Sequence, residues 1–378
     1  MNILVVNFEY PPLGGGGGVA TKKLAEGWVQ TGHGVTVITS GGLDLPPKEI
    51  LNGVRIIRAP VMRKNLATAS LLSMAAFSPA GLLTFIRNKV CFDIVNTHFS
   101  IPSGPLGHYL ARKCKVPNVL SIHGADIYDP TRFSPKDNFF LKRINKYLLD
   151  NASAVVAQSK DICSKAIHYY RVHRSIDIIP LPYSPIEFKR TTRKELGLFP
   201  DRHYIVSVGR LVKRKGYGYL VEAFARTKDP RAELLIVGDG PELEPLRQLA
   251  RERAVADRVH LLGYQTEERK FQYLDNADLY VLSSEHEGFG IVLQEAMQIG
   301  LPIVSTNVGG QVDFLREGYN ALLVSPCDPS ALAESIDRLL GNPSLRERMR
   351  INNMTDLASF DETTVCNKYL KIFKRVLN

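Results

Sequence analysis

No Asp-x-Asp pair occurs anywhere in this chain, so the simplest carboxylate device for holding Mg²⁺ or Mn²⁺ against a phosphorylated substrate is missing. No Gly-x-x-x-x-Gly-Lys-Ser/Thr run occurs either, which removes a P-loop. The five cysteines, Cys91, Cys114, Cys163, Cys327 and Cys366, are scattered and odd in number, with neither Cys-x-x-Cys nor Cys/His ligand spacing. They predict reduced thiols, mostly in cores, rather than a disulfide framework or a zinc site. No basic stretch or small-residue cleavage site precedes the strand-like Ile3–Asn7, so secretion is not expected and a cytoplasmic setting is.

What is present is ordinary globular material, 44% hydrophobic and 23% charged over 378 residues, which is long for one core and predicts two domains with a cleft between them. Apolar runs of strand length alternate with helical patterns: Ile3–Asn7, a helix near Gly18–Gln30, Val35–Thr39, Val54–Ala59, Ile94–Thr97, Val119–His123 and Ala154–Gln158. A second series follows the Pro-rich 179–185: Tyr204–Val208, Glu233–Val237, Val259–Leu262, Leu279–Leu282, Pro302–Ser305 and Ala321–Val324. This βαβ rhythm predicts two doubly wound α/β units with parallel sheets, 1–185 and 186–360, with ligands at the carboxyl ends of the strands. The final stretch, 361–378, has an apolar and a basic face at helical spacing and is expected to pack back on the first unit.

The net charge of +10 is unevenly placed. Residues 1–185 hold 21 Lys/Arg against 11 Asp/Glu, whereas the remainder is balanced at 27 each. A positive domain beside a neutral one suits an anionic partner: nucleic acid, an acidic membrane surface or a phosphorylated acceptor. Residues 66–86 are nearly free of charge, but Ser, Thr, Pro79 and Gly81 dilute them and a crossover helix is due there. Two readings suit them, helices lining the cleft or an interfacial membrane contact.

Four places carry candidate chemistry. Gly14 to Gly18 stand between the first strand and the first helix, where glycine lets backbone N–H groups approach a phosphate. The second strand runs into Ser40-Gly41-Gly42 without an acidic residue for a ribose, which weakens a dinucleotide reading. Tyr204–Val208 ends in Gly209-Arg210-Leu211-Val212-Lys213-Arg214-Lys215-Gly216, four cations able to neutralise a diphosphate without a metal. His123 ends another strand and can bond a sugar hydroxyl or shuttle a proton. Glu287 and Glu295 lie eight positions apart across a Gly-rich turn, the first just before a helix and the second about two turns inside it, so both can point to one side of a cleft. Each pattern also has a plain alternative: a flexible turn, a surface basic run, a structural histidine, a solvated helix edge. Glu285 and Glu287 flank His286 and can ligate a metal, although alternating residues in a turn more often do not.

Taken together these stretches resemble glycosyltransferase family 4, the retaining, nucleotide-sugar-dependent enzymes of GT-B fold, over nearly the whole chain. The most specific part runs from Asp278 to Ser284, then Glu287-Gly288-Phe289-Gly290 through Glu295-Ala296-Met297, then Gly300 to Thr306 and Gly309-Gly310. It is similar to the family's Glu-x7-Glu element. Val208 to Leu211 with Lys215-Gly216 resembles the phosphate-binding segment, Val237 to Pro241 the short Gly turn, and Gly32 to Val37 the N-terminal pattern.

The resemblance implies roles. Arg210 and Lys215 would hold the donor diphosphate, aided by Gly15 and Gly16 and by N–H groups at Phe289, Gly290 and Ile291. Glu287 would meet the donor sugar, Glu295 the ribose, and Gly263 with Tyr264 the base. His123 would lie at the reacting sugar, and closure of the two domains would complete the site. The donor would be a UDP- or GDP-sugar, the acceptor a saccharide or lipid-linked, anionic molecule, and no cofactor or metal is expected. From the charge split, and not from the resemblance, the basic first unit is expected to face that acceptor or an anionic inner membrane surface. Two departures stand out, Ile179 to Tyr183 in place of an Asn-Gly turn, and Ala321 in place of a glycine. A nucleotide-sugar epimerase and an NAD-linked oxidoreductase are the competing enzymes on this plan. A nucleic-acid binder is disfavoured, because basic residues are not interleaved with surface aromatics.

Overall fold

The computed structural model describes residues 1–61, 63, 69–129 and 134–378. They form two compact units, Met1–Ser184 with Phe360–Asn378, and Pro185–Ser359.

The first unit is built on eight strands: β1 (Asn2–Asn7), β2 (Gly34–Ser40), β3 (Lys48–Leu51), β4 (Val54–Ala59), β5 (Ile94–His98), β6 (Asn118–Ile122), β7 (Ala154–Ala157) and β8 (Asp177–Ile178). Their spatial order is β3-β4-β2-β1-β5-β6-β7-β8. All pairs are parallel except β3–β4. That hairpin, an antiparallel edge where a wholly parallel sheet is expected, escapes the sequence because β3 has no buried residue to make a pattern. Helices α1 (Gly16–Gln30), α2 (Leu71–Asn88), α3 (Gly104–Cys114), α4 (Phe139–Asn151) and α5 (Lys160–Tyr170) supply the crossovers.

The two faces of this sheet are separated by strand alternation. Ile3 and Val5 belong with Leu24 and Trp28 of α1, while Leu4 and Val6 belong with Phe77 of α2 and with Leu106 and Leu110 of α3. Of the apolar run 66–86, residues 66–68 lie outside the described residues, and the rest enters α2, which buries Ser73, Phe77, Gly81 and Thr84. Among the described residues no helix is long and apolar enough to cross a membrane.

The second unit has six parallel strands, β9 (His203–Val208), β10 (Ala232–Val237), β11 (Val259–Leu261), β12 (Leu279–Leu282), β13 (Ile303–Thr306) and β14 (Ala321–Val324), in the order β11-β10-β9-β12-β13-β14. Its helices are α6 (Tyr217–Phe224), α7 (Leu243–Glu252), α8 (Glu267–Asp275), α9 (Ile291–Ile299), α10 (Pro329–Leu340) and α11 (Pro343–Leu357). Every residue of β10 is buried, as expected of a strand covered on both faces. In each sheet the strand order reverses beside the first strand, between β1 and β5 and between β9 and β12. A crevice opens at the carboxyl end of such a reversal.

The last helix, α12 (Glu362–Leu377), belongs to the first unit and packs on α1. Tyr369 and Phe373 meet Trp28 with ring centroids 5.8 and 5.1 Å apart. Gly27 makes the approach feasible, since a Cβ there would stand 2.5 Å from the Cys366 sulfur. The 179–183 segment is held nearby, with Ile179, Leu181 and Tyr183 buried and the Tyr183 N–H donating to the Phe360 carbonyl at 2.8 Å. The thiols depart from expectation: only Cys366 is fully buried, Cys163 is half-buried, and Cys91, Cys114 and Cys327 are exposed. None is bridged.

Truncating Phe373→Ala should cost about 3–5 kcal/mol, the range for a fully buried phenylalanine. Trp28 is the only tryptophan of the chain, so its emission isolates the first unit's transition. A lower denaturation midpoint by that probe is expected, and an unchanged midpoint would refute the packing of α12 on α1.

Candidate functional site

In the second unit the site is assembled from loops at the carboxyl ends of adjacent strands. The loop after β9 is fastened to the one after β10 by Gly209 N–H to the Val237 carbonyl, 3.0 Å, and Leu211 N–H to the Asp239 carbonyl, 2.9 Å. The Gly238 N–H in turn donates to the Gly263 carbonyl at 2.9 Å. These approaches require glycine: a Cβ on Gly238 would stand 1.9 Å from the Gly209 carbonyl oxygen, and one on Gly240 2.3 Å from that of Leu211. Gly263 thus has its carbonyl committed to this zipper, while Tyr264 beside it is 81% exposed and its ring is open to a ligand.

The cations are held differently from one another. Lys213–Lys215 form a single 3-10 turn. Its backbone is tied to the loop after β12 by Glu285 N–H to the Arg214 carbonyl, 2.8 Å, and by the Ser283 hydroxyl donating to the Lys215 carbonyl, 3.0 Å. Lys215 Nζ is thereby placed in an ion pair with Glu287 Oε1, which also accepts from the Ser284 hydroxyl at 3.0 Å. Arg214 stands 3.8 Å from the same oxygen. Arg210 is half-buried at the mouth of this loop.

Burial pushes the Glu287 carboxyl up, but the charges of Lys215 and Arg214 and the bonds from Lys215 and Ser284 outweigh it and leave it below the usual carboxylate range. Glu287 is therefore an anion at neutral pH. Its backbone is pinned as well: the carbonyl accepts from Gly310 N–H at 2.8 Å, and a Cβ on Gly309 would stand 2.3 Å from that oxygen. Gly309-Gly310 therefore support the turn.

Gly290, with φ 97°, ends the turn and caps α9. Ile291 opens the helix. Phe289 is buried with its ring 5.1 Å from that of Phe314, so only its backbone is placed to face a ligand. Because α9 begins at Ile291, Glu295 is little more than one turn inside it, not two. Glu295 is buried and bonded to Lys270 of α8 at 2.7 Å. Lys270 was not legible as a site residue, since the run Glu267-Glu268-Arg269-Lys270 looks like any charged first turn of a helix.

In the first unit, the glycine loop and His123 are neighbours. A Cβ on Gly17 would meet the Phe99 ring at 2.4 Å and His123 Nδ1 at 3.5 Å, and the Phe99 and His123 rings stack with centroids 4.3 Å apart. Gly15 and Gly16 begin α1 as its cap and first residue. The Gly15 N–H already donates to Glu9 Oε2 at 3.1 Å, so a phosphate would have to displace that carboxylate. Asp126 fixes the turn after β6 by accepting from the N–H groups of His123, Gly124 and Ser100, at 2.9, 3.0 and 2.8 Å.

His123 belongs to a buried polar chain whose protons can be assigned. Asn96 Nδ2 donates to the Val119 carbonyl at 3.0 Å, so Asn96 Oδ1 is the atom that accepts from His98 Nε2 at 2.7 Å. His98 Nδ1 then accepts from His123 Nε2 at 2.8 Å, and His123 Nδ1 accepts from Gln158 Nε2. Burial lowers His98 to about 3, and burial with the neighbouring His98 holds His123 well below its ordinary range. Both rings are neutral at physiological pH. A proton shuttle at His123 near neutrality, one of the two roles its sequence context allows, is disfavoured by this desolvation, and a hydrogen bond to a ligand requires an exchange with Gln158 or His98.

The family model for glycosyl transferases group 1 matches residues 188–355, and that for glycosyltransferase family 4 matches residues 14–185. An uncharacterized glycosyltransferase of Methanocaldococcus jannaschii is 31% identical over 368 residues, covering 93% of this chain and 92% of its own. The N-acetyl-alpha-D-glucosaminyl L-malate synthase of Bacillus anthracis is 30% identical over 364 residues, covering 90% and 88%. Among solved structures, Anabaena HepE in complex with UDP superposes with a TM-score of 0.78 at 21% identity, covering 99% of this chain and 100% of that one. With both halves matched and a relative aligned almost end to end, the chain belongs to the group 1, family 4 glycosyltransferases of GT-B fold.

Proposed function

We propose that this glycosyltransferase is a retaining, metal-independent enzyme that moves a hexosyl group from a UDP- or GDP-sugar to an anionic saccharide or lipid-linked acceptor in cell-surface glycan synthesis. The observation that carries the reading is the ion pair of Lys215 with buried Glu287 at the carboxyl ends of neighbouring strands. It sets a cation cluster beside an ionised carboxylate, which suits a diphosphate and a sugar hydroxyl respectively. Glu287 is committed to Lys215, Arg214 and Ser284, as befits a group that accepts from a hydroxyl rather than one that attacks carbon.

In this reading Arg210 and Lys215 stabilise charge growing on the diphosphate as the sugar C1–O bond breaks. The acceptor hydroxyl bonds to C1 on the same face, and its proton passes to the departing phosphate oxygen. Glu295, oriented by Lys270, takes the ribose, Tyr264 and the Gly263 backbone face the base, and the N–H groups of Phe289, Gly290 and Ile291 face phosphate. Gly15 and Gly16 join the phosphate once Glu9 withdraws. His123, neutral, takes a sugar hydroxyl at Nδ1 once Gln158 is displaced from it. A uridine donor is supported by the UDP bound in HepE. An anionic acceptor is supported by the excess of Lys/Arg in residues 1–185 and by the Bacillus relative, whose name is that of a glucosaminyl L-malate synthase.

Three measurements check this. In a thermal-shift panel of UDP-, GDP- and ADP-sugars, the fitting donor should raise the melting temperature. Arg210→Ala and Lys215→Ala should abolish the rise, and Lys270→Met should reduce it; equal shifts in all variants would remove these roles. Proton NMR of the first product formed, with a chelator present, should show the donor's own anomeric configuration, and inversion or a metal requirement would overturn the mechanism. Finally, because the His123 pKa is depressed, no activity limb belonging to it should appear as pH rises through about 6.5, the ordinary histidine value. A limb there that disappears in His123→Asn would restore the proton-shuttle role.

A further inference from the structure

We infer that the outer surface of α2, α3 and α4 is a docking surface for an anionic lipid bilayer, entered by the apolar side chains at the start of α2 and α4. It deepens the acceptor half of the proposed function, on which it rests only for what is glycosylated at that surface.

The three helices follow β4, β5 and β6, strands that run parallel in one sheet, so their N-termini all lie at its carboxyl edge. α2 packs on α3 and α3 on α4, which makes one continuous layer. At that edge Leu71 and Leu72 open α2 with exposures of 77% and 72%, and Phe139 and Phe140 open α4 with 66% and 73%. Two adjacent leucines and two adjacent phenylalanines left in water at helix starts have no role in the core beneath, which is filled by Phe77, Leu106 and Leu110 and by Leu148 and Leu149.

The charge of the layer selects the occupant. α2 and α3 contain no Asp or Glu, and α4 contains one, Asp150, which is paired with Lys146 at 2.9 Å. Lys142, Arg143 and Lys146 follow Phe139 and Phe140 along α4, and Arg87, Arg112 and Lys113 stand at the far ends of α2 and α3. Arg143 stacks its guanidinium 5.3 Å from the Phe139 ring centroid, so a charge and an aromatic are presented together. Exposed leucine and phenylalanine at one edge, with Lys142 and Arg143 beside the phenylalanines and the nearby Asp137 carboxylate paired with Lys136, match the two-part chemistry of an anionic membrane surface: acyl chains for the apolar groups and headgroups for the cations. A nucleic acid would use the cations but leave Leu71 and Leu72 in water.

The test is cosedimentation of the full chain with vesicles of phosphatidylcholine containing roughly a third phosphatidylglycerol, and with phosphatidylcholine alone, at low and moderate salt. Binding to the mixed vesicles that weakens with salt, and none to the neutral ones, is expected. Phe139→Ser with Phe140→Ser should lower the partition coefficient about tenfold, and Lys142→Glu with Arg143→Glu should lower it at least as far. Ile351→Ser, an exposed apolar change on α11, should leave it unaltered. The donor-induced thermal shift, read on each variant, reports the second unit separately, so lost vesicle binding with an intact shift assigns the effect to this surface. Absence of binding by the unmodified chain, or equal binding by all variants, overturns the proposal. So does a homodimer that dissociates in the Phe139/Phe140 double variant, which would give the face to a second copy of the chain. Vesicle binding without any donor shift would leave the surface standing and remove the donor reading instead.

Discussion

A carboxylate buried as deeply as that of Glu287 would ordinarily take up a proton. It stays ionised because Lys215 and Arg214 are held against it. That pairing has structural requirements on both sides. The basic turn must be anchored through the Lys215 carbonyl to Ser283, and the acidic turn through the Glu287 carbonyl to Gly310. Glycines 216 and 309 must lack side chains, because a Cβ on either would fall within 2.1 or 2.3 Å of a carbonyl oxygen of the facing loop. The glycines around the site are thus packing requirements of a charge pair, and the ligand geometry is a consequence of it.

The first unit solves its polar problem without charge. Asn96, His98, His123 and Gln158 form a chain in which every ring nitrogen has a partner, and the Val119 carbonyl at one end dictates the tautomer at the other. A low-dielectric setting keeps both rings neutral, and a charge on either would have no counter-ion in the chain. Helices α2, α3 and α4 carry six cations against one carboxylate instead.

Much of this was legible in one dimension. The strand cores stood out because parallel strands covered on both faces read as unbroken apolar runs, as at 232–237, and the Glu-x7-Glu stretch with its glycines marked the family. The edge hairpin was not legible, since an exposed strand such as Lys48–Leu51 carries no burial pattern. Neither was burial of the thiols, because an isolated cysteine in a helix gives no sign of whether it faces core or solvent. In the site, Glu287 and Glu295 were visible but their partners were not: Lys215 precedes Glu287 by 72 positions and Lys270 precedes Glu295 by 25. His98, Gln158 and Asp126 were equally silent, each a common polar residue whose meaning lies in what it touches.

Sequence alone determined the order of elements, the two-unit plan, the excess of positive charge in the first unit and the loops that carry chemistry, because each is written in local periodicity, turn residues or composition. Tertiary structure alone decided which charge meets which, which histidine stays neutral and which apolar side chains are left in water. Those depend on distances between residues far apart in the chain and on the solvent excluded around them, and neither quantity exists until the sheets are formed.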